Sequence, residues 1–69
     1  MEWKVVRDTD RKLVISGDDI FVSYEKPYKY MNFYRVKEEL GGKVSEYLFT
    51  ISSEEFKSLV NILKLKGVI

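Results

Sequence analysis

A chain of 69 residues with 12 basic and 11 acidic side chains, net charge +1, makes one small domain at most. It has neither cysteine nor histidine, which excludes disulfides, thiolate metal sites, the usual zinc ligand and the usual acid–base residue. No apolar run approaches the ~20 residues of a membrane span, and Met1-Glu2-Trp3-Lys4 does not resemble a secretory signal. The chain therefore reads as a soluble protein of the cell interior, in the cytoplasm or associated with a nucleoid or a virus. A domain this small and without covalent staples needs a very well packed core or a partner subunit.

In chain order, the first β-prone run is Trp3–Arg7. It ends at Asp8-Thr9-Asp10-Arg11, where the acidic side chains favour a turn by bonding their own backbone. Lys12–Ser16 follows, then Ser16-Gly17-Asp18-Asp19, in which Gly17 can supply the positive φ of a two-residue loop. Ile20–Glu25 is the third run. The stretch from Glu25 to Met31 contains Pro27, the one proline, and reads as a longer connection. Asn32–Leu40 and Lys43–Ile51 flank Gly41-Gly42, the strongest hairpin signal in the chain.

After Ile51 the apolar period changes from two to about three and a half. Ser52-Ser53-Glu54-Glu55 is a capping box, in which the Ser52 hydroxyl and the Glu55 carboxylate each accept from the other residue's amide. Phe56, Leu59, Val60 and Leu63 keep helix spacing, Lys64 and Lys66 suit its carboxyl end, and Gly67 is a stop. The expected fold is α+β over residues 1–69: an antiparallel meander of four to five strands, β-β-β-β-α, with one C-terminal helix.

With Gly41-Gly42 as the loop, Tyr34 faces Phe49 and Val36 faces Tyr47. Alternation then gathers Tyr34, Val36, Tyr47, Phe49 and Ile51 on one face. A Gly17-Asp18 loop adds Leu13, Ile15, Ile20, Val22 and Tyr24, with Val6, to this expected core. The opposite face carries Trp3, Arg7, Lys12, Phe21, Phe33, Arg35 and Lys37, beside Val5, Val14, Leu48 and Thr50. Flat rings can stack unpaired bases while Lys and Arg neutralise phosphates. A second small apolar core, closed by the amino terminus or another subunit, accounts for the same residues.

Two further features bear on function. The segment Lys26-Pro27-Tyr28-Lys29-Tyr30-Met31-Asn32-Phe33-Tyr34-Arg35, with Lys26, Tyr28 and Lys29 foremost, offers rings and ammonium groups at a sheet edge, or tyrosines folded over the core with their hydroxyls in water. The helix carries apolar residues away from its main stripe, Ile62 and Leu65, with Val68 beyond them; these mark a homodimer interface, or aliphatic residues simply left exposed. Catalytic constellations are missing. Glu38 and Glu39 are neighbours on a strand and point to opposite faces, and the paired aspartates belong to turns. The chain reads as a non-enzyme that needs no cofactor and no metal.

The segment Phe49-Thr50-Ile51-Ser52-Ser53-Glu54-Glu55-Phe56-Lys57-Ser58-Leu59 resembles the last strand and helix start of the transcriptional positive cofactor four family. The related whirly proteins share that plan. Phe56 stands at the family's aromatic and Leu59 at its leucine, and the likeness covers about a third of the chain. Tyr47-Leu48 replaces the family's Lys-Gly step, the third hairpin is shorter and the lysine-rich amino-terminal region is missing. The resemblance implies a dimer formed through the helix, with single-stranded DNA, or RNA, laid across the sheet without strong sequence preference. The alternatives from other classes are a protein-interaction or oligomerisation module and a small duplex-DNA-binding chromatin protein.

Overall fold

The computed structural model describes residues 2–69; Met1, the first residue of the stretch compared with a secretory signal, lies outside them. Five strands and one helix follow in order: β1 (Lys4–Asp8), β2 (Lys12–Ser16), β3 (Ile20–Glu25), β4 (Tyr30–Glu39), β5 (Gly42–Ser52) and α1 (Ser53–Leu65). The strands form one antiparallel meander in which each pairs with its sequence neighbour. The α+β meander with a C-terminal helix is the fold the sequence implies.

Local chemistry explains where α1 starts and stops. The Ser52 hydroxyl accepts from the Glu55 amide at 3.1 Å, and the Ser52 amide donates to the Glu55 carboxylate at 3.3 Å. Both bonds of the capping box are therefore made, with Glu54 and Glu55 at the positive end of the helix dipole. At the other end Gly67 takes φ +73°. Its amide donates to the Lys64 carbonyl and that of Val68 to the Leu63 carbonyl, the two bonds of a Schellman stop. Ser52→Ala is expected to cost about 1 kcal/mol, read as a lower urea midpoint with unchanged slope. No loss would mean that the cap is idle.

Turn chemistry sets the registers, and here the structure departs from expectation. The β4–β5 hairpin turns at Leu40-Gly41 and pairs Glu39 with Gly42, so Tyr34 meets Tyr47 rather than Phe49. Gly41 and Gly42 sit at φ +99° and +136°, which glycine adopts without steric cost. A bulge at Leu48 then brings Phe49 opposite Phe33. The β2–β3 loop centres on Asp18-Asp19, with the Gly17 amide donating to the Ile20 carbonyl, and Gly17 does not take a positive φ. Ile15 consequently faces Val22, which keeps both on the side expected.

The connection between β3 and β4 is four residues, Lys26–Lys29, shorter than the sequence suggests. Lys29 takes φ +58° and its amide donates to the Glu25 carbonyl at 2.7 Å, closing the turn. Glu25 therefore pairs with Tyr30, Val22 with Phe33, and Phe21 with Tyr34. That pairing reverses the two faces of β4. Phe33 lies with Ile15 and Val22 on the side that α1 covers, while Tyr34 lies with Phe21 on the other. A second bulge, at Val6, sets Val5 opposite Ile15 and Arg7 opposite Val14. Val6 thus joins the face away from the helix, and Trp3 the face toward it.

α1 follows directly on β5, and Phe56 near its start reaches over to Phe33 of β4 with ring centroids 6.3 Å apart. Phe33 also stacks on Phe49 at 4.7 Å. Together with Ile15, Val22 and Met31 on the same face they make a thin apolar centre. Val60 and Leu63 of α1 are part-buried. Among the described residues no apolar side chain is buried, and the one buried residue is Ser23, 7 % exposed.

Candidate nucleic-acid interface

The sheet face turned away from α1 carries a row of aromatic side chains that runs across three strands. Phe21 of β3 and Tyr34 of β4 are cross-strand partners, and their rings stack at 4.6 Å with planes 10° apart. Tyr47 of β5 is the next partner along the row and meets Tyr34 edge-on at 5.8 Å and 66°. Such pairs are worth about 0.5–1.5 kcal/mol beyond the area they bury. The Tyr47 ring is fixed at its far end as well. Thr50 donates to the Asn32 side-chain oxygen at 2.6 Å, so its hydroxyl proton is committed and the Tyr47 hydroxyl, also at 2.6 Å, donates to Thr50.

Beside this row lies an open groove of about 420 Å³. Val14, Phe21, Ser23 and Tyr34 contribute to its lining, as do Val6, Arg7 and Lys12 from β1 and β2. Lys12 is ion-paired with Glu25 across the β2–β3 ladder at 3.4 Å. Pairing with Ser16 gives Lys4 the same side by alternation. The surface thus combines flat rings, an apolar floor and up to three cations on one face.

The residues expected to act together are divided by the structure. Arg7, Lys12 and Phe21 do share a face. Trp3 does not: it lines an apolar groove on the helix side with Ile15, Val22, Met31, Phe33 and Phe56. Phe33 is on that side too, and by alternation so are Arg35 and Lys37, which project from the distal part of β4. Lys37 pairs with Glu46 at 2.6 Å. Lys26 binds Asp8 at 2.7 Å and ties the end of β1 to the β3–β4 turn. Tyr28 and Lys29 are exposed in that turn, and the Lys29 carbonyl accepts from the Ser53 amide at 2.9 Å, linking the turn to the start of α1. Ile62, Leu65 and Val68 are all exposed, Leu65 at 80 %.

Tyr34, Tyr47, Asn32 and Lys4 belong to the open face, where the sequence did not place them. Tyr34 and Tyr47 were expected in the core, where their hydroxyls would need partners; on the open face water or Thr50 supplies them. Among the described residues no three of His, Cys, Asp and Glu converge to hold a metal ion. None of their helices is long and apolar enough to cross a membrane. Compared with protein-family models, curated proteins and solved structures, the chain matches none of them.

Proposed function

We propose that the chain acts as a homodimer that binds single-stranded nucleic acid, DNA foremost, on the sheet face away from α1. The observation that carries this reading is the aromatic row Phe21–Tyr34–Tyr47 with Arg7 and Lys12 along its flank. Phe21 and Tyr34 cover one face of each other, and a ring face left free beside the groove offers a base stacking worth ~1–3 kcal/mol without discriminating strongly among bases. The cations neutralise phosphates without reading sequence. A duplex hides its base faces in the stack, so an aromatic row on a sheet favours unpaired strands. The role is to bind and present a strand, with no cofactor and no catalytic step, in the cytoplasm or on a nucleoid or viral assembly. The likeness of Phe49–Leu59 to the positive-cofactor-four family points the same way.

Titrating the protein with a labelled oligothymidine and with a duplex of equal length tests this. Two phosphate contacts per protomer, from Arg7 and Lys12, give a dimer a slope of log affinity against log salt of about −3. Between 50 and 200 mM salt, affinity is then expected to fall about fiftyfold. Equal affinity for duplex would favour the chromatin-type reading. No affinity for either would leave the apolar floor of the groove, Val6, Val14 and Phe21, as a protein-docking patch.

A further inference from the structure

The protomer leaves more surface in water than a folded chain of its mass should. Its accessible area is 5699 Å², whereas a compact monomer of 8.2 kDa exposes about 4,500 Å². Its radius of gyration is 13.8 Å, against about 11 Å for 69 residues packed as one globule. The excess is about 1,200 Å², which falls in the range that each partner buries in an obligate dimer. With no buried apolar side chain among the described residues, the single chain lacks the well-packed core that a domain this small and without staples needs.

The helix side is where this excess is concentrated in apolar form. The strand that α1 approaches most is β5, which it follows directly in the chain, and the β1–β3 part of the face remains uncovered. There a groove of about 280 Å³ is lined by Trp3, Ile15, Val22, Met31, Phe33 and Phe56, with almost no polar surface. Trp3 is 51 % exposed at its rim. The same chain also presents a protruding apolar flank and tail: Leu59, Ile62, Leu65, Val68 and Ile69 are exposed. A groove and a protrusion on one chain are what a two-fold pair requires, each copy's protrusion filling the other's groove. With a net charge of +1 per chain, two copies approach with little repulsion.

We propose that this helix-side groove is the interface with a second copy of the chain, and that Trp3 is its anchor. The inference deepens the homodimer part of the proposed function by naming the surface, and it is independent of nucleic-acid binding. It moves Trp3 from strand binding to assembly and leaves the aromatic row of the other face free in both subunits.

Trp3 is the chain's one tryptophan, so its fluorescence reports on this surface directly. Sedimentation of the wild type at tens of micromolar is expected to give a dimer, with Trp3 shielded from acrylamide and becoming quenchable on dilution. The thermal midpoint is expected to rise with protein concentration. Trp3→Glu is expected to weaken dimerisation about thirtyfold or more. If that variant does not fold, the concentration dependence of wild-type unfolding and the quenching still decide. A folded wild-type monomer at tens of micromolar overturns the proposal, as does a dimer in which Trp3 is quenched as readily as in the dilute protein. A dimer with shielded Trp3 that ignores oligothymidine upholds this inference and sinks the nucleic-acid reading instead.

Discussion

Phe33→Ala is expected to be the most damaging single truncation in the chain, costing about 3 kcal/mol of folding stability. Its ring stacks on Phe49 at 4.7 Å with planes 15° apart, and Phe56 leans on it from the helix. It also pairs with Val22 of the neighbouring strand. One side chain therefore joins β3, β4, β5 and α1. Part-burial in the protomer keeps the cost below the top of the range for phenylalanine truncations, ~3–5 kcal/mol. For a domain with roughly 0.05–0.15 kcal/mol of stability per residue, a loss of that size removes much of the total. Circular-dichroism melts and urea titrations at fixed protein concentration measure it. A variant that keeps its melting temperature within a few degrees but loses oligonucleotide binding would mean that the faces of β4 are the other way round.

That outcome is the one the sequence alone led us to expect, and the reason lies in three short segments. The capping box at Ser52–Glu55 and the stop at Gly67 were legible because each is a local device, complete within a few residues of sequence. Face assignment is a non-local property. It depends on a parity that every turn and bulge between two strands can invert. The four-residue turn Lys26–Lys29 is closed by a lysine at φ +58°, a conformation in which lysine is uncommon and which no glycine or asparagine announced. The bulges at Val6 and Leu48 each insert one residue into a β-prone stretch of apolar side chains without any glycine to mark them.

The Leu48 bulge accounts for part of the misplaced core. Without it, Tyr47, Phe49 and Ile51 would share a face by alternation, as the sequence suggests. With it, Tyr47 stays with Tyr34 while Phe49 and Ile51 turn to the helix side with Phe33 and Met31. Each face thus receives its own aromatic set: the stacked pair Phe33 and Phe49 with Phe56 of α1 tilted against Phe33, and the row Phe21, Tyr34 and Tyr47 on the other side. Tyr30, Tyr34 and Tyr47 fall on the open face and three of the four phenylalanines on the other, where Tyr24 also lies, opposite Leu13 and Met31 and away from α1. That division follows polarity, since a tyrosine hydroxyl beneath α1 would require a buried partner.

Tyr34→Ala is expected to weaken single-strand binding by about 1 kcal/mol while leaving the fold largely intact, because Tyr34 backs the Phe21 ring on which a base can stack. Tyr34 is the middle ring of the row, so removing it breaks both the 4.6 Å stack with Phe21 and the edge contact with Tyr47. Those two contacts also support the sheet, and a loss of about 1 kcal/mol of stability is expected alongside. Arg7→Ala separates charge from stacking. It removes one phosphate contact per protomer, so the dimer's salt slope is expected to flatten by about 1.4, with the preference for unpaired over duplex strands unchanged. Arg35→Ala is the control, because Arg35 projects on the opposite side of the sheet by alternation from Tyr34. Its binding curve is expected to overlay the wild type. Fluorescence anisotropy with labelled oligothymidine, at two salt concentrations, measures all three variants. If Tyr34→Ala and Arg7→Ala bind as the wild type does while Arg35→Ala fails, the strand lies on the helix side. The aromatic row would then have no part in holding it.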